Sequence, residues 1–203
     1  MKPQWNLWTV VAAVVLCVLV QSLVAPANAP GDEDAQIDAG GQDNGGSDAD
    51  WPMWRYDAGR SGASPAELPE NLQVQWTRDL PPPRPAFPPA VRPRLCFDKT
   101  YRPVAADGLL FVPSMVTDSV TAYDLDTGAE RWRFYADGPV RLAPAVHRGS
   151  VYFVSDDGYL YCLDAGTGQM LWRYTPLPVS RREQRLLGDG RMISRWPARG
   201  GPV

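Results

Sequence analysis

The chain has 203 residues, 44% of them hydrophobic and 21% charged, with a formal net charge of −3. This hydrophobic share excludes wholesale disorder, and the length suits one globular domain or slightly more. One histidine, His147, excludes a multi-histidine metal site, and three cysteines exclude a disulfide-dense scaffold.

Residues 1–29 read as an export segment. After Lys2, Trp8 to Val20 is apolar except for Thr9, and Ala25-Pro26-Ala27 and Ala27-Asn28-Ala29 offer small residues for cleavage. A cut after Ala27 avoids placing Pro30 just beyond it. The other reading is an uncleaved anchor. An N-terminal apolar helix over the 18 residues from Leu7 to Val24 would extend about 27 Å, enough for a bilayer core. Cys17 lies inside the apolar run, away from a lipid-attachment position. Under either reading the rest of the chain leaves the cytoplasm, to the periplasm or to a membrane anchor facing it.

Residues 30–50 hold seven acids and no base, with Ile37 as the one large apolar residue. Such a tract cannot bury enough surface to offset its ordering entropy, so a disordered acidic linker is expected. Residues 51–203 then carry 19 basic and 16 acidic groups, a net of +3, too weak a field to imply a nucleic-acid partner. Leu72-Gln-Val-Gln-Trp76 alternates as a strand does. Leu80 to Pro103 holds eight prolines and is expected to run as an extended polyproline-like strap covering the domain.

A repeat organises the next segment. Thr127, Gly128, Trp132, Arg133 and Phe134 superpose on Thr167, Gly168, Trp172, Arg173 and Tyr174 at an offset of 40, and Pro103 and Gly108 match Pro144 and Gly149 at 41. Periods near 40 signal stacked supersecondary units. In the second copy, Ser150 to Ser155 and Tyr159 to Leu163 are short runs rich in β-branched and aromatic residues, separated by Asp156-Asp157-Gly158, a strong hairpin signal. A run near Leu142 to Val146 and another over Gln169 to Tyr174 complete four antiparallel strands per repeat, as in a propeller blade. The expected fold is therefore all-β: a partial β-propeller domain over 51–203 with repeats at about 100–134 and 141–174. The start of a third falls at about 195–203, where Pro202 aligns with Pro144.

Ala122-x-Asp124-x-x-Thr127-Gly128-x-x-x-Trp132 resembles the tryptophan-docking motif of PQQ-like (pyrroloquinoline quinone-type) β-propeller repeats, and Cys162-x-Asp164-x-x-Thr167-Gly168-x-x-x-Trp172 resembles it again, with Cys in place of the usual Ala. Within that family the likeness is to exported propellers related to the outer-membrane assembly lipoprotein BamB. The resemblance implies about eight blades in a ring closed by an N-terminal strand, the place Leu72–Trp76 would take. Two repeats are too few for it, so a truncated reading frame, or assembly of several chains into one ring, is expected. The motif has its own physical logic. Asp and Thr side chains bond turn backbone, Gly permits the turn, and Trp wedges between blades. In a complete propeller Trp132→Ala or Trp172→Ala should cost roughly 3–5 kcal/mol.

The resemblance implies no bond chemistry by itself. A PQQ-dependent quinoprotein dehydrogenase, the alternative function, would need a calcium site, catalytic acids and commonly adjacent paired cysteines. Cys96 and Cys162 are 66 residues apart. No catalytic, cofactor or metal residue is therefore assigned, and the chain is expected not to be an enzyme. Asp124-Leu-Asp126-Thr-Gly128 lacks the later acids of a calcium loop and reads as a turn. His147 reads as an exposed turn residue. Cys162 replaces a small buried Ala and is expected as a free thiol, with a disulfide to Cys96 as the alternative in an oxidising compartment. Ser180 to Arg199 interrupts the period with six arginines. A basic inserted loop of this kind suits an anionic polymer or an acidic protein face, with Arg181, Arg182 and Arg185 as candidate partner-binding residues. The expected role is an exported, membrane-tethered scaffold for protein–protein interaction at the cell envelope.

Overall fold

The computed structural model describes residues 50–87 and 97–203. The apolar run of 1–29, the acidic tract up to residue 49 and Cys96 lie outside them. Among the described residues no helix is long and apolar enough to cross a membrane.

Two four-stranded antiparallel sheets dominate. The first contains β1 (Val104–Ala106), β2 (Leu109–Ser114), β3 (Ser119–Asp124) and β4 (Glu130–Tyr135), paired in chain order. The second repeats the plan with β5 (Ala145–His147), β6 (Ser150–Val154), β7 (Leu160–Asp164) and β8 (Met170–Tyr174). Both sheets shift register at the same place, between Ala122 and Tyr123 and between Cys162 and Leu163. The sequence period is thus a period of backbone geometry, down to the irregularity in the last ladder. β5 begins later than the run expected from Leu142, because Pro144 has no amide to donate to a ladder. Val140 and Ala143 of that linker are buried instead.

One apolar core runs through both sheets. Val104, Phe111, Val120 and Ala122 of the first sheet share it with Val151, Phe153, Tyr161 and Leu163 of the second. Alternation along β4 turns Trp132 and Phe134 toward the second sheet while Arg131, Arg133 and Tyr135 face solvent. Phe134 meets Phe153 and Tyr161 edge-on at 5.9 and 5.5 Å, and Phe153 stacks on Tyr161 at 5.1 Å, geometries favoured by the ring quadrupoles. The N-terminal segment stitches the inner side. Trp51 exchanges two backbone hydrogen bonds with Ala105 of β1, and Val146 of β5 donates to the Pro52 carbonyl.

The arginine-rich insertion is more ordered than a loop. It contains a short helix α1 (Val179–Arg182) and a hairpin of β9 (Arg185–Gly188) and β10 (Arg191–Ser194). No strand forms over 72–76 or 195–203. Trp76 packs on the Gly128 turn and the Ala198 amide donates to the Ser155 carbonyl, but neither stretch joins a ladder.

Candidate functional site

The site with the most convergent geometry lies where the outer turn of one sheet meets a tryptophan from the preceding segment. In the first sheet, Asp124 Oδ1 accepts the Thr127 amide at 2.9 Å and the Thr127 hydroxyl at 2.8 Å, and the Gly128 amide donates to the Asp124 carbonyl. In the second, Asp164 Oδ1 accepts the same two groups of Thr167 at 2.8 and 2.7 Å, and Gly168 donates to the Asp164 carbonyl. The Thr hydroxyl is the main cause holding the Asp124 and Asp164 carboxyls below the usual carboxylate range. These acids are occupied by the turns that they close.

The turn places its glycine at φ +69° (Gly128) or +72° (Gly168), in the left-handed region. Each glycine then serves as a seat for an indole. A Cβ on Gly168 would lie 2.5 Å from Cδ2 of Trp132, and one on Gly128 would lie 2.6 Å from Cδ2 of Trp76. Each indole also donates from Nε1 to a turn carbonyl: Trp132 to Ala165 at 2.9 Å and Trp76 to Leu125 at 2.8 Å. An aromatic slab with a polar edge thus satisfies an acceptor while covering bare backbone. Trp76, read from the sequence as the end of a strand, reaches this seat without one. Arg78 reinforces it, donating from Nε and Nη2 to the Gly128 carbonyl.

Trp172 carries the same motif, but no glycine among the described residues seats it. It remains 44% exposed, with Met170, Leu171 and Tyr174 of β8 also exposed. Its inner side is nonetheless arranged as for Trp132. Trp172 tilts against Tyr152 at 6.0 Å and 52°, and Trp132 against Phe111 at 5.8 Å and 51°.

A second constellation, missed in the sequence, ties the strap and the insertion to the second sheet. Arg141, 4% exposed, donates from Nε to Asp156 Oδ2 at 2.7 Å and from Nη1 to Asp98 Oδ2 at 2.6 Å and the Arg84 carbonyl at 2.8 Å. Arg199 completes the set, bonding both carboxylate oxygens of Asp156. Asp156-Asp157-Gly158 does form the turn of the β6–β7 hairpin, with Gly158 at φ +93°, but both carboxylates are buried. Asp157 accepts the Tyr161 hydroxyl and the Asp137 and Tyr159 amides. Burial raises the Asp157 carboxyl, and burial with the Asp157 charge beside it raises the Tyr161 hydroxyl. Two signals were present: an acid more than an Asp-Gly turn requires, and the lone Arg141 in an otherwise apolar stretch.

The candidate partner-binding arginines are divided. Arg181 is exposed and lies over the Trp196 ring at 5.6 Å. Arg182 donates to the Leu177 carbonyl and Arg185 to the Asp137 carbonyl, so both bond their own chain. Arg191, not singled out in the sequence, pairs with Asp118, whose carboxyl burial raises. A cavity of about 140 Å³ is lined by Trp54, Arg60, Arg102 and Arg199 among others. His147 is exposed at the end of β5, and Cys162 is a buried free thiol. Among the described residues no three His, Cys, Asp or Glu are grouped to hold a metal ion.

Comparison with known proteins follows the repeat. No curated protein matches the chain. Among solved structures, BamB from Moraxella catarrhalis is 20% identical over 34% of this chain and 21% of that one, with a TM-score of 0.32. A europium-containing methanol dehydrogenase is 19% identical over 77% of this chain and 26% of that one, with a TM-score of 0.47. A quinohemoprotein alcohol dehydrogenase from Comamonas testosteroni is 23% identical over 62% and 19%, with a TM-score of 0.44. The chain thus spans only 19–26% of the length of these three relatives. The family model described as outer membrane protein assembly factor BamB matches residues 68–194, more than half of the chain. With twin four-stranded sheets and two tryptophan-on-glycine seats in that span, the protein belongs to the BamB-like family of PQQ-type β-propeller repeat proteins.

Proposed function

We propose that the chain is a non-catalytic, exported scaffold for protein–protein interaction at the cell envelope. Residues 1–29 deliver or anchor it, 30–50 act as a tether, and 51–203 present an incomplete propeller. The observation that carries this reading is the use of its polar side chains. Asp124 and Asp164 close turns, and Asp98 and Asp156 join Arg141 and Arg199 in a buried ion set. Groups held this way rigidify loops and strand edges, which are the parts a scaffold offers to partners. The match to a family described as an assembly factor supports the same role.

The test uses cells producing the full chain, with a photo-crosslinking residue in place of the exposed Arg181. The expected result is crosslinks to envelope proteins, lost when Arg182 and Arg185 are charge-reversed in the same chain. Crosslinks unchanged by that reversal would remove the insertion from the interface. Purified chain titrated with pyrroloquinoline quinone and Ca²⁺ should keep its tryptophan fluorescence. Saturable quenching with dye reduction would instead assign it to the dehydrogenases.

A further inference from the structure

The tryptophan seats give the described part of the chain a polarity. At one end the Gly128 seat is filled from within by Trp76. At the other, β8 presents Trp172 to solvent. We propose that the open edge of β8 docks on the first sheet of a second copy of this chain, with Trp172 entering the Gly128 seat in place of Trp76.

The chemistry of that interface is already present twice within one chain. Trp132 on Gly168 and Trp76 on Gly128 share the left-handed glycine, the ring over its α-carbon and the Nε1 bond to a carbonyl three residues before the glycine. Docking of β8 would continue this interface. Trp172 needs no new rotamer, since Tyr152 holds it as Phe111 holds Trp132, and a preordered side chain loses little entropy on binding. Met170, Leu171 and Tyr174 widen the exposed apolar area around it, as an aromatic-centred interaction patch requires.

The resident occupant comes from a segment with few supporting contacts. Trp76 belongs to a segment without a strand ladder, and its neighbours Leu72 and Val74 are 72% and 83% exposed. It is held mainly by the Leu125 bond and by Arg78 on Gly128. Trp172 would arrive with four hydrogen-bonded strands behind it. The contact is head-to-tail, and such contacts close into rings when their rotation allows.

The proposal adds a partner to the scaffold reading and fails separately from it, because the crosslinking of Arg181 to envelope proteins does not depend on self-association. The experiment is sedimentation of the full chain over a range of concentrations, with circular dichroism verifying each variant's fold. Trp76→Ala empties the seat and should tighten self-association at least about tenfold. Adding Trp172→Ala to it should then weaken association at least about thirtyfold, as loss of an interface anchor does, and Gly128→Ala should act in the same direction. Arg78→Ala loosens the Trp76 segment with the indole in place and should also promote association, so the proposal stays testable if Trp76→Ala does not fold. Association no tighter than wild type in both Trp76→Ala and Arg78→Ala would overturn the proposal. So would association indifferent to Trp172→Ala and Gly128→Ala, which would indicate pairing of two β8 edges.

Discussion

β4 and β8 carry one motif and meet two different fates. In β4, Trp132 and Phe134 are packed into the core between the sheets, and the indole is bonded to the turn of its neighbour. In β8, Trp172 and Tyr174 occupy the matching positions and face solvent. The inner contacts of the two indoles are alike, so the difference lies wholly on the outer side. The motif therefore fixes the pose of the tryptophan within its own sheet, and the energy of docking is realised only when a glycine turn arrives opposite.

That comparison can be broken at several points. The largest effect is expected at Asp156, which balances Arg141 and Arg199 beside the linker between the sheets. Asp156→Ala leaves Arg141 with Asp98 alone and takes the carboxylate from Arg199, and should cost about 3–5 kcal/mol by urea denaturation. Next is Gly168→Ala. The new Cβ would meet Trp132 and adopt φ +72°, which combines overpacking with left-handed strain, about 2–4 kcal/mol. Gly149→Ala isolates the second term, since its φ is +70° with nothing within 4 Å of the added carbon. It should cost only about 1–2 kcal/mol.

The smallest effect concerns acid. The folded Asp124 and Asp164 carboxyls titrate below their ordinary value. Their stabilising contribution is therefore present above the unfolded pKa and is lost as pH falls through the folded one. The double variant Asp124→Asn with Asp164→Asn should be less stable at neutral pH and flatter in its acid limb, measured as urea midpoints between about pH 5 and 2.

The fold was legible wherever local chemistry decides it. Asp-x-x-Thr-Gly is a turn with its own hydrogen bonds, and the period of 40 places its two copies in equivalent sheets. Where partners are distant, the sequence was silent or misleading. Asp156 and Asp157 look like solvent-facing turn residues until Arg141, Arg199 and Tyr161 surround them. The arginines of 181–199 look like a free basic loop, yet Arg185, Arg191 and Arg199 bond groups at sequence separations of 43 to 73 residues. Trp76 was visible as a strand end, whereas its seat, 52 residues on at Gly128, belongs to tertiary structure.

The most direct measurement sets the two tryptophans against each other in urea unfolding of the full chain, at a concentration where wild type is monomeric. Trp132→Ala should cost about 3–5 kcal/mol, as loss of a packed aromatic does, whereas Trp172→Ala should cost less than about 1 kcal/mol, as an exposed substitution does. Equal losses from the two variants would contradict the claim that a facing glycine seat, rather than the tryptophan's own sheet, supplies the stabilisation.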